Sequence, residues 1–132
     1  MSEYTLQQLF TEYLKSIGFD VHQEVPFLSR SIDVVAIKGN EICAYELKLH
    51  NWRKAITQSI DHLHGVDRSY ICMPLKSHIS EELICQAQLN GLGLVMYDEE
   101  NRTLNEILPA PDSEFVWEPA RKWLTSAMEL TV

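Results

Sequence analysis

The chain has 132 residues, of which 45% are hydrophobic and 23% are charged, and its formal net charge is −8. This length and composition are typical of one soluble globular domain, and no apolar stretch approaches the roughly 20 residues that a membrane span needs. The charge, with only 11 Lys and Arg residues, argues against a protein that coats nucleic acid electrostatically. The N-terminus is polar and has no charged-then-apolar leader, so we expect a cytoplasmic protein without a membrane partner.

Three cysteines, Cys43, Cys72 and Cys85, lie in apolar segments. Their odd number and their spacing argue against a disulfide framework and against a zinc site. We therefore expect three buried free thiols in a reducing compartment.

The first predicted element is an amphipathic helix over residues 3–17, because its apolar residues recur at helical spacing. Ser2 is a typical N-cap residue, and Gly18 is a typical helix stop. Three strands are predicted next, over residues 19–25, 31–37 and 41–49. Gly39-Asn40 is a typical tight turn between the last two strands. The sequence therefore predicts an antiparallel meander after the first helix.

The rest of the chain alternates between helices and strands. Asn51 is predicted to cap a second helix, which is followed by a buried strand over 69–73 and a third helix from about 80 to Gly91. A strand over 92–97, an edge strand over 103–108 and a final helix from near Pro119 complete the chain. This order predicts an α/β fold with a mixed central sheet flanked by helices on both faces. We expect one domain over residues 1–132, with a core at about 3–97 and a C-terminal edge strand and helix at about 103–130.

Charged residues interrupt two of the apolar strands. Asp33 lies in the second strand, and Glu46 and Lys48 lie in the third. Because side chains alternate along a strand, Glu46 and Lys48 should project from the same face about 7 Å apart. Burying such groups without partners costs several kcal/mol, so this placement predicts a functional use. The alternative is a solvated strand end in which Lys48 is a salt-bridge partner.

These residue types suit a metal-dependent reaction on a phosphate. Mg²⁺ is typically held by one or two carboxylates, several waters and substrate phosphate. Asp33 and Glu46 supply the carboxylates, and the backbone carbonyl of Leu47 supplies a third oxygen. A bound metal lowers the pKa of a water and neutralises charge on the phosphate, while Lys48 orients the water or stabilises developing charge. The residues therefore predict phosphodiester hydrolysis with Mg²⁺ or Mn²⁺ as cofactor.

Asp33, followed after a hairpin by Glu46-Leu47-Lys48, resembles the signature of the PD-(D/E)XK, or restriction-endonuclease-like, nuclease superfamily. The order of predicted elements also matches the αβββαβ core of that family, from residue 3 to about residue 97. The chain departs from the nominal motif because Ile32, rather than proline, precedes Asp33. The resemblance implies a nuclease fold with Asp33, Glu46 and Lys48 as catalytic residues.

The resemblance also implies two further site residues. Many members of the family carry an acidic residue on the first helix near the metal, and Glu3 matches that place, with Glu12 as the alternative. Many also carry a glutamine on the helix after the lysine strand, and Gln58 matches it as a catalytic residue that orients the water or a phosphate oxygen. The segment from Asn51 to Gln58 is similar to small Holliday-junction resolvase-like nucleases.

Other polar residues near these positions have weaker signals. Arg53 and Lys54 lie close to Lys48 in the sequence and are predicted to contact phosphates of a nucleic acid, although such residues ordinarily form a solvated helix face. Histidine is the residue type that can titrate near neutral pH, which makes His62 and His64 candidates for a functional role, yet histidines at a helix end more often have a structural role or are exposed.

The leading functional hypothesis is a divalent-metal-dependent deoxyribonuclease with one catalytic centre. RNA or a nucleotide as substrate involves the same chemistry and is left open. Because the chain is small, cutting both strands would require a homodimer or a larger complex. The alternative, which the net charge of −8 favours, is a catalytically silent or partner-dependent interaction subunit of a repair, restriction or defence complex.

Overall fold

The computed structural model of the protein describes residues 1–131. Over this range the helices are α1 (Glu3–Ser16), α2 (Trp52–His62), α3 (Glu81–Leu89) and α4 (Glu118–Thr131). The strands are β1 (Asp20–Phe27), β2 (Arg30–Lys38), β3 (Glu41–Leu47), β4 (Arg68–Pro74), β5 (Gly93–Asp98) and β6 (Thr103–Leu108). None of the described helices combines the length and the apolar character needed to cross a membrane.

The six strands form one mixed sheet whose spatial order is the same as their order in the sequence. The pairs β1–β2, β2–β3 and β5–β6 are antiparallel, whereas β3, β4 and β5 are parallel. Parallel neighbours need a crossover, and α2 and α3 supply the two crossovers. The predicted α/β fold, with its antiparallel meander and mixed sheet, is confirmed.

Turn chemistry sets the register of the meander. The hairpin at Gly39-Asn40 is confirmed, because Lys38 pairs with Glu41 and Gly39 has a φ of 62°. The β1–β2 connection is also a two-residue turn, and there Leu28 has a φ of 56°. This left-handed conformation is common for glycine and uncommon for a leucine.

Each face of the sheet carries its own part of the core. Helix α1 covers one face with Leu6, Phe10 and Leu14, and the other helices cover the opposite face, where Ile71 and Leu124 are buried. Two of the three cysteines are buried free thiols. The prediction was wrong for Cys85, which is exposed on α3, because its helix buries a different stripe.

The helix caps are only partly as predicted. The Ser2 hydroxyl accepts a hydrogen bond from the Thr5 amide at 3.0 Å, as expected for an N-cap. Asn51 precedes α2, but its φ of 52° is left-handed and its side chain makes no capping hydrogen bond. The prediction of a side-chain cap by Asn51 was therefore wrong, because this residue makes the sharp turn between β3 and α2.

A part-buried ion pair ties α4 to the sheet. The Arg121 guanidinium donates to both carboxylate oxygens of Asp67, at 3.2 and 3.1 Å, and to the carbonyl of Gly65 at 3.2 Å. The same Asp67 carboxylate accepts a hydrogen bond from the Ile42 amide of β3 at 2.7 Å. Arg121 and Asp67 therefore connect α4, the loop before β4 and the start of β3.

We expect Arg121→Ala to lower the free energy of unfolding by about 1.5–3 kcal/mol, because the variant leaves Asp67 without its charged partner. Urea unfolding followed by circular dichroism measures this loss. Arg53→Ala is the matched control, since the Arg53–Glu82 pair is more than half exposed and such pairs are typically worth about 0–1 kcal/mol. Equal losses in the two variants would contradict the structural role of Arg121.

Candidate active site

The two predicted strand carboxylates lie across from each other. Because Val34 pairs with Tyr45 in the antiparallel β2–β3 ladder, the next position along each strand places Asp33 opposite Glu46. The Asp33 carboxylate acts directly on the Glu46 carboxyl and raises its pKa. The Leu47 amide donates a hydrogen bond to Asp33 Oδ2, at 2.9 Å. The structure therefore brings Asp33 and Glu46 together at the carboxyl end of β3.

Glu46 is deeply buried and incompletely paired. The residue is 2% exposed, and its Oε2 atom has no hydrogen-bond partner among residues 1–131. Burial and the adjacent Asp33 carboxylate raise the pKa of Glu46 well above its usual range, although the positive charge of Lys48 opposes the shift. Two adjacent carboxylates, one of them buried, cannot both ionise easily. Without a cation, the pair therefore holds a proton at neutral pH.

Lys48 lies just beyond the end of β3, not within the strand as predicted. Its amide donates to the Cys72 carbonyl of β4 at 3.1 Å, which holds the backbone beside the sheet. Its charge acts on Glu46, yet within residues 1–131 Lys48 makes no direct ion pair. The ammonium group is therefore close enough to influence the carboxyl pair without being neutralised by it.

Gln58 lies on α2, which packs against β3 and β4. Its Oε1 atom is buried and, like Glu46 Oε2, has no hydrogen-bond partner in the described part of the chain. A buried oxygen without a donor costs about 1–3 kcal/mol. Both atoms are hydrogen-bond acceptors, so either a hard divalent cation or a water bound to it would satisfy them. The unpartnered oxygens of Glu46 and Gln58 therefore fit the divalent metal that the sequence resemblance implies.

The structure distinguishes between the two candidate glutamates of α1. Glu3 Oε2 accepts a hydrogen bond from the Leu49 amide at 3.3 Å, so it lies beside the chain that leaves β3. Glu12 instead lines a separate cavity with Tyr97 and Arg102. Of these two residues, Glu3 is the one placed near the carboxyl end of β3.

The sequence analysis missed one acidic residue, Glu24. In the β1–β2 ladder Gln23 pairs with Val34 and Val25 pairs with Ile32, so Glu24 falls opposite Asp33. Its φ of 48° is left-handed, and its charge contributes to the raised pKa of Glu46. The signal available in the sequence was an acidic residue inside the first predicted strand.

Carboxylates on three neighbouring strands thus form a row, Glu24, Asp33 and Glu46. Even so, nowhere in residues 1–131 do three or more His, Cys, Asp or Glu side chains converge in an arrangement that could hold a metal. A Mg²⁺ site needs only one or two carboxylates when waters and substrate phosphate complete the shell. The Asp33–Glu46 pair is therefore sufficient for such a site, with the Leu47 carbonyl as a further predicted ligand.

The predicted phosphate contacts lie on the first turn of α2. Arg53 donates to Glu82 of α3 at 2.9 Å, and its guanidinium lies 4.4 Å from the centre of the Trp52 ring. Lys54 is exposed. The Arg53–Glu82 pair lies at the surface and is therefore weak, so Arg53 remains accessible to a phosphate. The contact of Arg53 and Lys54 with nucleic acid stays a prediction.

Comparisons with known proteins identify similar folds. The chain matches no protein-family profile and no curated protein sequence. An XisH family protein from Nostoc punctiforme PCC 73102 superposes with a TM-score of 0.60 and 16% identity, covering 78% of this chain and 98% of that chain. A protein of unknown function, AF1548, gives a TM-score of 0.56 and 23% identity over 70% of this chain. The match spans only 57% of AF1548. The fold is therefore shared with these proteins and is compatible with a restriction-endonuclease-like α/β sheet.

Proposed function

We propose that the protein is a divalent-metal-dependent nuclease that hydrolyses phosphodiester bonds, with DNA as its principal substrate. The observation that carries this proposal is the pairing of half-buried Asp33 with buried Glu46, one of whose oxygens has no partner within residues 1–131. Two carboxyl groups of like charge held side by side, one of them buried, do not stabilise a fold. It does provide the hard anionic oxygens that Mg²⁺ or Mn²⁺ requires.

Asp33, Glu46 and the Leu47 carbonyl would hold the ion, and Glu3 and Glu24 offer further oxygens nearby. When bound, such an ion lowers the pKa of a coordinated water and neutralises charge on the phosphate. The Leu47 amide orients Asp33 through the hydrogen bond at 2.9 Å. Glu46 contributes a full negative charge only after it releases its proton.

Two other side chains act on the reacting groups in this proposal. The Lys48 ammonium, which is not neutralised by an ion pair, stabilises the negative charge that develops on the phosphate oxygens or orients the attacking water. Gln58 Oε1 accepts a hydrogen bond from that water, which would satisfy a buried oxygen that has no partner within residues 1–131. Arg53 and Lys54 hold the flanking phosphates.

The test is incubation of the protein with plasmid, linear and branched DNA, with Mg²⁺, Mn²⁺ or EDTA. We expect divalent-dependent cleavage that EDTA abolishes. Asp33→Asn should reduce the rate at least about 100-fold, because even changes outside the ligand set of a metal cost about 10–100-fold. Asp112→Asn is the matched control, since Asp112 is exposed and pairs with Arg68.

Unchanged cleavage by Asp33→Asn would contradict the proposed site. Failure of the wild type to cleave any DNA or RNA would contradict the nuclease proposal. If DNA binding then required a second protein, the interaction-subunit alternative would be favoured. Size-exclusion chromatography of the active sample tests whether cutting both strands involves a homodimer.

A further inference from the structure

Large apolar side chains are exposed around the tip of the β1–β2 hairpin, the end of α2 and the start of α4. Phe115 is 60% exposed, Trp117 59%, Trp123 45% and Leu28 38%. We call these four residues the apolar patch, and none of them has a role in the proposed hydrolysis. Contiguous apolar patches of more than a few hundred Å² are rare on monomeric proteins and mark interaction sites.

Short contacts connect the parts of the apolar patch across three elements. The Trp117 amide donates to the His64 carbonyl at the end of α2, at 2.8 Å. His64 and Leu28 line one cavity of about 210 Å³ between the helix end and the hairpin tip. The Trp123 ring lies 6.5 Å from the ring of Phe27, the neighbour of Leu28 in the hairpin. The four residues therefore belong to one region of the surface.

The chain that precedes α4 presents its aromatic residues from a fixed backbone. The Ser113 amide donates to the Asp67 carbonyl at 2.7 Å, and the Ser113 hydroxyl donates to the Leu63 carbonyl at 2.7 Å. The Phe115 amide in turn donates to the Ser113 hydroxyl at 3.2 Å. A surface that is already ordered loses little conformational entropy when a partner binds it.

The area of the apolar patch suits the core of an interface between two proteins. An aromatic side chain buries about 150–250 Å² when it is fully covered, so Phe115, Trp117 and Trp123 together expose roughly 350 Å². A standard interface buries about 800 Å² on each partner, divided between an apolar core and a polar rim. Tryptophan is also one of the residue types that contribute most to binding energy at interfaces.

The charged residues around the apolar patch have both signs. They are Arg30, Lys122, Asp61, Glu114 and Glu118, and none of them has an ion pair within residues 1–131. These charges nearly cancel, although the whole chain carries −8. Nucleic acid binds where positive charge is concentrated, so this rim does not suit it. A second copy of the chain presents the same mixture, and a two-fold axis can place positive groups of one copy opposite negative groups of the other.

We propose that the apolar patch is the interface of a symmetric homodimer. The interface does not depend on the proposed nuclease function, but it has a consequence for that function. Arg30 at the rim precedes Asp33 by three residues on β2, which corresponds to about 10 Å along a strand. The dimer would therefore carry one carboxyl pair on each side of its axis, which supplies a catalytic centre for each strand of a duplex.

Sedimentation velocity of the whole chain, from about 1 to about 100 μM, measures the association. We expect the wild type to form dimers. Trp117→Asp and Phe115→Asp should each raise the dimer Kd at least about 100-fold, because a two-fold interface carries each change twice. Tyr4→Asp is the matched control, since Tyr4 is 72% exposed on α1, outside the apolar patch, and this variant should dimerise like the wild type. Circular dichroism checks that each variant is folded.

Acrylamide quenching of tryptophan fluorescence tests the same surface without a variant, and it decides the matter if a patch variant fails to fold. Two of the three tryptophans of the chain lie in the apolar patch, so quenching of the wild type should decrease as the dimer forms. Unchanged quenching on dimerisation would overturn the inference, as would a dimer that both folded patch variants retain.

The oligomeric state and the cleavage of DNA can fail independently. A wild type that is still monomeric at about 100 μM would overturn the interface, and DNA cleavage by that monomer would leave the nuclease proposal standing. A dimer that is disrupted by the patch variants but never cleaves DNA would support the interface and contradict only the nuclease proposal.

Discussion

Replacing Lys48 by alanine is expected to slow DNA cleavage by about 10²–10³-fold while divalent-metal binding survives. The ammonium group stabilises charge that develops during the reaction, and the loss of one such group typically costs this factor in turnover. It does not hold the ion, because cations do not coordinate one another. Single-turnover cleavage measures the rate, and calorimetric Mg²⁺ titration of the same preparation measures the binding.

The cleavage rates of Lys48→Ala and of the wild type must be compared at a saturating concentration of Mg²⁺. Lys48 lowers the pKa of Glu46, so its removal makes the Glu46 proton harder to displace and weakens metal binding modestly at neutral pH. Lys15→Ala is the matched control, because it removes a lysine from the end of α1 on the opposite face of the sheet. If Lys48→Ala cleaves DNA as fast as Lys15→Ala, Lys48 has no part in the chemical step and the proposed mechanism fails.

Replacing Glu46 by glutamine is expected to abolish cleavage and yet to stabilise the metal-free protein at high pH. The folded state raises the pKa of Glu46, so it holds this proton more strongly than the unfolded chain does. The contribution of Glu46 to stability is therefore greatest below the ordinary carboxyl pKa, and it declines as the pH rises toward the raised value. Glutamine carries no proton to lose, so this decline disappears in the variant.

Urea unfolding at pH 5, 7 and 9, with and without Mg²⁺, measures how the free energy of unfolding depends on pH and on the metal. In the wild type, Mg²⁺ competes with the Glu46 proton, so its stabilising effect should grow with pH, reaching about 2.7 kcal/mol at a hundredfold excess over Kd. Glu46→Gln should show neither the pH-dependent loss nor the stabilisation by Mg²⁺. Glu12→Gln, a change of the same kind at a residue away from the carboxyl pair, should behave like the wild type. If the free energy of unfolding of Glu46→Gln depended on pH in the same way as that of the wild type, the proposed protonation of the Asp33–Glu46 pair would be contradicted.

Most of the fold and the central carboxyl pair followed from local chemistry. Gly39-Asn40 specifies a two-residue turn, and the length of a turn determines which residues of the two strands face each other. Once Lys38 pairs with Glu41, counting along the strands places Asp33 opposite Glu46. Apolar periodicity identified the helices in the same way, because each helix buries one stripe of its own sequence.

Tertiary structure decided the surroundings of that pair. The position of Glu24 depends on the β1–β2 register, and that register is set by a turn in which Leu28 takes a conformation that residue preferences argue against. Lys48 lies beyond β3 because the chain turns sharply through Asn51 into α2. The tip of the β1–β2 hairpin and the end of α2 enclose a small cavity although they are far apart in the sequence. Local patterns carry no information on such contacts, because they result from the packing of whole elements against one another.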